Sequence, residues 1–271
     1  MRRLPVAAFF ALAIATIAAF FVTQHLKVST PLLAGYPAPR PAAINPIDPH
    51  ECRVSTRSGG SERISFGSML VSFYLLNRSD DVNVYIVGSD GTKVVRTLAS
   101  GRYMRGGTKH SVRTTFTWNG RLADGSVAPD GTYYIRVSLI HQDRSVLISN
   151  PAGVAEPVTV ETVAPHPQVT SVTPDLIPRS GANATIRYTG ARGLPGRILI
   201  YRTDLPGGSR LVKSFTSRRG TSSVWNGTIS GRPAPPGTYV MVLEITDKAC
   251  NTGRSPVAGT TAAAHAVVTV R

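Results

Sequence analysis

The chain has 271 residues and a formal net charge of +15, because 30 lysines and arginines stand against 15 acidic residues. That length accommodates two domains of about 100 residues each beside a terminal segment. A strong positive field attracts anionic polymers or membrane headgroups, but no nucleic-acid-binding motif accompanies the charge, so a nucleic-acid partner is not expected.

The first predicted element is an uncharged apolar segment at residues 4–23. A helix of about twenty residues spans about 30 Å, the hydrocarbon thickness of a bilayer, so residues 1–27 are predicted to contain a transmembrane signal-anchor helix. Arg2 and Arg3 precede the segment, which places the N-terminus in the cytoplasm and the remainder outside the cell membrane, with a single span. The alternative is a cleaved signal peptide, after which the chain would be secreted.

Proline then marks the predicted boundaries. Residues 28–50 contain six prolines and are predicted to form a semi-extended stalk. A second proline-marked hinge at residues 163–167 separates a first domain, 51–163, from a second, 164–271. After residue 27, β-branched residues dominate the apolar runs, and glycine and proline are frequent. The predicted fold is therefore all-β: two tandem immunoglobulin- or fibronectin-III-like β-sandwiches after one N-terminal transmembrane helix.

One phrase occurs in both predicted domains. Each copy reads as a strand ending in Trp-Asn-Gly, a short excursion, a proline–glycine turn and a second strand that opens on tyrosine. Both Asn and Gly tolerate a positive φ, and the two aromatic side chains are large enough to anchor one sheet on the other. A structural role is therefore predicted for Trp118, Asn119, Gly120, Gly131, Tyr133, Trp225, Asn226, Gly227, Gly237 and Tyr239.

This phrase resembles the FlgD-like immunoglobulin-like domain, which is named for the flagellar hook-capping protein and is widespread in bacterial surface and secreted proteins. The upstream strands fit as well, at 71–76, 82–87 and 93–98 in the first copy and at 184–188, 197–201 and 211–215 in the second. The resemblance covers about residues 60–271. It implies a β-sandwich for each copy and says little about activity, because such sandwiches host many functions.

The two cysteines, Cys52 and Cys250, would lie in an oxidising compartment if the predicted topology holds. They can pair only if the two predicted domains fold back on each other. The sequence equally allows two unpaired thiols or an intermolecular contact.

The positive charge is concentrated in the second predicted domain. Residues 165–271 carry thirteen basic residues against four acidic ones, a net charge of +9. Such a field favours an anionic partner. A GC-rich genome would produce the same bias, since arginine outnumbers lysine 25 to 5. The residues predicted to bind anions are Arg187, Arg192, Arg197, Arg202, Arg210, Lys213, Arg218 and Arg219.

Motifs for catalysis are absent from the sequence, which has no Gly-x-Ser-x-Gly, no phosphate-binding glycine loop and no His-Glu-x-x-His. Asp48, His50, Glu51 and Cys52 crowd together, but flexible sequence beside a stalk does not preorganise a metal site. Asp80 is read as part of a polar loop between strands. The chain is predicted to have no catalytic residues, no cofactor and no metal.

The predicted function is that of a non-catalytic, membrane-anchored structural spacer or binding module outside the cytoplasm, in a bacterial cell envelope. Its partner would be an anionic cell-wall polymer or an envelope protein, attracted by the basic second domain. Two alternatives remain open. One is an accessory or scaffold subunit for an envelope enzyme, and the other is a secreted carbohydrate- or cell-wall-binding module.

Overall fold

The computed structural model describes residues 4–29, 32–35, 38–55, 59–76, 78–107, 113–178, 182–191, 193–194, 196–217, 220–257 and 261–271. This part of the chain begins with a helix, α1 (Leu4–Ser29), and includes a 3₁₀-helix at Thr261–Ala266. The strands of the first half are β1 (Leu33–Ala34), β2 (Ala43–Ile44), β3 (Glu51–Ser55), β4 (Ser61–Ser65), β5 (Met69–Leu75), β6 (Asp80–Val87), β7 (Val94–Met104), β8 (Thr114–Trp118), β9 (Gly131–Leu139), β10 (Arg144–Leu147) and β11 (Val158–Val160). The second half contains β12 (Gln168–Thr173), β13 (Leu176–Ile177), β14 (Ala184–Thr189), β15 (Gly196–Arg202), β16 (Arg210–Thr216), β17 (Ser222–Trp225), β18 (Thr228–Ile229), β19 (Arg232–Pro233), β20 (Gly237–Thr246), β21 (Thr252–Ser255) and β22 (Val267–Val270).

The prediction of an all-β chain is confirmed, but the predicted transmembrane helix is wrong. Among the described residues, no helix has the combination of length and apolar character that a membrane span requires. Arg2 and Arg3, on which the predicted orientation depended, lie outside the described residues.

The chain divides into two compact units, each assembled from several stretches. One comprises Met1–Pro39, Leu70–Thr117 and Tyr134–Glu156, and the other comprises Arg40–Met69, Trp118–Tyr133 and Pro157–Arg271. The two predicted domains, 51–163 and 164–271, are each one continuous stretch of sequence, unlike these units. The division at residues 163 and 164 stays a prediction.

Two sheet orders occur twice along the chain. In the first copy, β1-β5-β8 form a three-stranded sheet and β2-β11-β9-β6-β7 a larger sheet, with β10 beside β9. In the second copy, β12-β14-β17 and β13-β22-β20-β15-β16 repeat these orders, with β21 beside β20. In both larger sheets the terminal strand pairs in parallel, β2 with β11 and β13 with β22. The two copies therefore share one topology, strand for strand.

The copies differ in two insertions. The hairpin β3–β4 forms a two-stranded sheet of its own in the first copy and has no counterpart among the residues of the second copy that the structure describes. The excursion after Trp-Asn-Gly contains the strand pair β18–β19 in the second copy, whereas the first has an isolated bridge between Arg121 and Val127. β1 and β2 come from residues 28–50, predicted as a stalk, and Ile44 of β2 is fully buried.

Alternating side chains build the core. In β6 and β9, every second residue is buried and its neighbours are partly exposed, as the period of a one-sided strand requires. β20 departs from this pattern because both of its faces are buried. Tyr239 and Met241 belong to the main core, while Val240 and Val242 pack on the other face in a cluster that includes Ala266 of the 3₁₀-helix.

Asp80 is the first residue of β6 rather than part of a loop, and it is buried. Its carboxylate accepts hydrogen bonds from the backbone N–H groups of His141 (2.9 Å) and Gln142 (3.2 Å) and lies 3.0 Å from the His141 Nδ1 atom. Burial by itself would raise the pKa of the Asp80 carboxyl group. The hydrogen bonds from His141 and Gln142 outweigh burial and lower that pKa below its ordinary value. Asp80 thus holds the turn between β9 and β10.

Asp80→Ala leaves two backbone donors unpaired, and we expect a loss of about 2 kcal/mol in the free energy of unfolding at neutral pH. Because the folded-state pKa is lowered, this contribution is complete above the ordinary value of 3.8 and is lost as the pH falls through the folded-state pKa. Urea unfolding at neutral and at strongly acidic pH measures the difference, with Asp81→Ala as the control. A difference that does not shrink in acid would contradict this role.

Candidate functional site

The first copy of the repeated phrase forms an aromatic brace. Trp118 ends β8 and is 1% exposed, and its Nε1 atom donates a hydrogen bond of 2.8 Å to the Arg121 carbonyl oxygen. Its ring meets the ring of Tyr133, with 5.2 Å between centroids and 63° between planes. Since β8 and β9 belong to different sheets, this edge-on contact joins the two sheets.

The tyrosine hydroxyl completes the brace. Tyr133 Oη donates to the Pro129 carbonyl oxygen at 2.8 Å, four residues back along the chain. Burial and the nearby Asp130 carboxylate raise the pKa of Tyr133, so its hydroxyl stays protonated and remains a donor. Asp130 in turn accepts from the Thr162 backbone N–H and hydroxyl groups.

The second copy repeats each of these contacts. Trp225 Nε1 donates to the Thr228 carbonyl oxygen at 3.0 Å, and Tyr239 Oη donates to the Pro235 carbonyl oxygen at 2.7 Å. The ring centroids of Trp225 and Tyr239 are 5.5 Å apart. The four aromatic side chains are all buried and all have their polar atoms paired within the turn.

Within each Asn-Gly pair, the glycine alone has a positive φ, 68° at Gly120 and 66° at Gly227. The turns are closed by the same backbone bond, from Ala128 N to Gly120 O in one and from Ala234 N to Gly227 O in the other. A glycine is required at these positions because other residues rarely adopt this conformation. Gly131 and Gly237 likewise have positive φ values, 156° and 155°.

The asparagine side chains differ between the copies. Asn226 Oδ1 accepts from the Thr228 hydroxyl group at 2.8 Å, from the Thr228 backbone N–H at 3.3 Å and from Lys213 Nζ at 3.2 Å. Asn119 is exposed and has no hydrogen-bond partner within the part of the chain that the structure describes.

Three of the residues predicted to bind anions are engaged with local partners. Arg202 makes two hydrogen bonds to the Asp204 carboxylate, at 2.8 and 3.1 Å, and a third to the Pro236 carbonyl oxygen. These bonds lower the pKa of Asp204. Lys213 Nζ donates to the Thr228 carbonyl oxygen at 2.6 Å as well as to Asn226, and burial lowers the pKa of this lysine.

Arg197 is the third. It lies beside Glu244 on the neighbouring strand β20, and Glu244 lies beside Arg254 on β21, so one carboxylate is flanked by two guanidinium groups across three strands. Arg254 Nη2 approaches Glu244 Oε2 to 2.6 Å, whereas Arg197 Nη1 is 3.8 Å from Oε1 and Arg197 also donates to the Ser214 hydroxyl group. Arg254 was not among the predicted residues because this row depends on strand register.

Two of the residues predicted to bind anions are not engaged with local partners among the described residues. Arg187 on β14 and Arg210 at the start of β16 are exposed, and neither has a hydrogen-bond or ion-pair partner among the described residues. Their strands belong to different sheets. Arg192, Arg218 and Arg219 lie outside the described residues. The eight residues are therefore not a single binding site in the described structure.

The two cysteines form a disulfide between β3 and the turn that links β20 to β21. Beside it, Asn45 and Asn251 are both buried, and Asn45 Nδ2 donates to Asn251 Oδ1 at 2.7 Å. Asn251 Nδ2 donates in turn to the Glu161 carbonyl oxygen and to Asp247 Oδ2, both at 2.9 Å. Burial, and then the charge of Asp247, raise the pKa of the Glu161 carboxyl group. Cys52, once a candidate metal ligand beside Asp48 and His50, has its sulfur in this bond.

The recurring sheet orders and the aromatic braces define an immunoglobulin-like β-sandwich protein. Residues 61–143 match the family model of the FlgD Ig-like domain, so the predicted family resemblance is confirmed for the first copy. No curated protein matches the chain. Among solved structures, the chain is similar to the dimeric latent PorU of Porphyromonas gingivalis, with 17% identity and a TM-score of 0.29. That match covers 83% of this chain and 20% of the PorU chain, so the chain spans a fifth of that protein.

Tyr133→Phe and Tyr239→Phe each remove one buried hydroxyl and leave a proline carbonyl unpaired. We expect each to cost about 1 kcal/mol of the free energy of unfolding, because the two bonds have the same geometry. The chain has two tryptophans, one in each brace, so fluorescence during urea unfolding reports on both copies. Tyr103→Phe is the control, since Tyr103 is 67% exposed. A cost at Tyr103 equal to that at the brace tyrosines would refute the assignment.

Proposed function

We propose that the protein is a non-catalytic structural spacer or binding module that works outside the cytoplasm, in a bacterial envelope. The match of residues 61–143 to the FlgD Ig-like domain, a non-enzymatic structural domain family, supports the structural role. The repetition of the same topology in the second copy supports it further. The proposed location rests on the disulfide between Cys52 and Cys250, because such bonds persist in oxidising compartments and are rare in the cytosol.

The disulfide also suits a protein that has to keep its shape. It joins residues that are 198 positions apart, and a loop of that length is worth about 5 kcal/mol in the chain-entropy model. The buried Asn45–Asn251 hydrogen bond ties the same two segments together at a second point. A spacer that transmits or resists force benefits from such ties because they limit local opening.

The redox state of the two cysteines in cells tests the proposed location. Cells are quenched in acid, and the denatured protein is treated with a polyethylene-glycol maleimide with or without a reductant. We expect no label without reductant and two labels with it, because an oxidising compartment keeps the bond intact. Cys52→Ser is the control and should take one label without reductant. Two labels on the unreduced wild-type chain would place the protein in a reducing compartment and refute the location.

As the partner, we propose an anionic cell-wall polymer that docks on the second copy. The count of basic residues overstates the side chains that can contact a partner directly, because Arg197, Arg202 and Lys213 are bound to local acceptors. Among the residues predicted to bind anions, Arg187 and Arg210 are exposed and have no local partner among the described residues, so a polyanion can contact them. Contacts of this kind are screened by salt and contribute modestly one by one.

The double variant Arg187→Gln/Arg210→Gln tests this partner in sedimentation of the full-length chain with purified cell wall. We expect binding to weaken by up to about thirtyfold at low salt and to lose part of its salt dependence, since each of the two exposed charges is worth up to about 1 kcal/mol. The matched control is Arg53→Gln/Arg63→Gln, which removes the same charge from two exposed, directly paired positions of the β3–β4 hairpin. Equal weakening by both double variants would show that net charge, and not the second copy, governs binding.

A further inference from the structure

The two copies contain the same reactive dipeptide in matched surroundings. An asparagine followed by glycine can cyclise, because the glycine backbone nitrogen attacks the asparagine Cγ atom without hindrance from a side chain. A bond forms between that nitrogen and Cγ, and ammonia leaves with the proton of the nitrogen. Water then opens the succinimide ring at either carbonyl group, which yields aspartate or isoaspartate. No other reactant is needed.

In the second copy, the asparagine side chain is held away from this reaction. Its Oδ1 atom accepts three hydrogen bonds, two from Thr228 and one from Lys213. Lys213 is itself fixed by a bond of 2.6 Å to the Thr228 carbonyl oxygen. To reach its neighbour's nitrogen, the side chain of Asn226 has to rotate and break these bonds, so each bond adds to the barrier.

In the first copy, the corresponding side chain carries no such restraint. Asn119 is exposed, and no hydrogen bond holds its side chain among the described residues. The two turns are otherwise alike next to the asparagine, with nearly equal φ values at Gly120 and Gly227 and an equivalent closing backbone bond, although the loop that follows forms a strand pair in the second copy and an isolated bridge in the first. The copies therefore differ at this point mainly in the tether that Lys213 and Thr228 provide.

We propose that Asn119 is a site of spontaneous deamidation and that Lys213 and Thr228 protect Asn226 from the same modification. The product at Asn119 affects the brace, because isoaspartate inserts a methylene group into the backbone immediately after Trp118. The carbonyl oxygen of Gly120 accepts the bond that closes the turn, and a side chain at Gly120 would collide with Pro46. A backbone that is longer by one methylene group at Asn119 therefore loosens the packing of the turn.

Peptide mapping by mass spectrometry tests the proposal on the full-length folded chain, incubated at mildly alkaline pH. The conversion of each asparagine is followed by the mass gain of amide-to-acid exchange, and isoaspartate is identified by its separate elution. We expect Asn119 to react at least about tenfold faster than Asn226, the factor that corresponds to one hydrogen bond of ordinary strength. Lys213→Met and, separately, Thr228→Val should each accelerate Asn226 and leave Asn119 unchanged.

Incubation in concentrated guanidinium chloride is the control, because both asparagines follow tryptophan and precede glycine. Without the folded structure their rates should become similar. Equal rates in the folded chain, or a faster reaction at Asn226, would overturn the proposal. So would protection of both sites in the folded chain together with reaction of both in denaturant, since the turn rather than the tether would then be protective.

Discussion

Each copy of the fold depends on a tryptophan and a tyrosine that meet between two sheets. Both side chains bury a large apolar surface, and both carry one polar atom that is costly to bury unpaired. The turns supply the hydrogen-bond partners. The carbonyl oxygens of Arg121 and Thr228 accept hydrogen bonds from the two indole N–H groups. The carbonyl oxygens of Pro129 and Pro235 accept hydrogen bonds from the two tyrosine hydroxyl groups. The turns, with the positive-φ glycines that they require, bring these acceptors to the rings.

Each brace is satisfied within its own turn, while the surroundings of the two copies differ. The first copy contains the β3–β4 hairpin, and the second contains the β18–β19 strand pair and most of the positive charge. Much of that charge serves the structure. Lys213 ties the second turn, Arg202 binds Asp204, and Arg197 and Arg254 flank the buried Glu244. Fewer of the thirteen basic side chains are therefore free to make direct contacts with a partner.

Local patterns predicted a large part of this molecule. Alternation identified the central strands of both copies, and the tryptophan, glycine and tyrosine positions located the turns, because strand period and turn chemistry act over a few residues. The transmembrane prediction failed, since no helix among the described residues is long and apolar enough to cross a membrane. Prediction also failed where the deciding contacts were not local. β1 and β2 are two residues each and lie in proline-rich sequence, so no periodicity could reveal them.

The amino-acid sequence by itself determined the all-β class, the repeated turn and the match of residues 61–143 to the FlgD Ig-like domain model, because each depends on neighbouring residues. Only the tertiary structure decided the partners of distant groups. The bond between Cys52 and Cys250, the buried Asn45–Asn251 pair and the row of Arg197, Glu244 and Arg254 all join segments far apart in the chain or depend on strand register. Composition counts such residues but contains no information about which of them meet, since meeting is a property of the folded backbone.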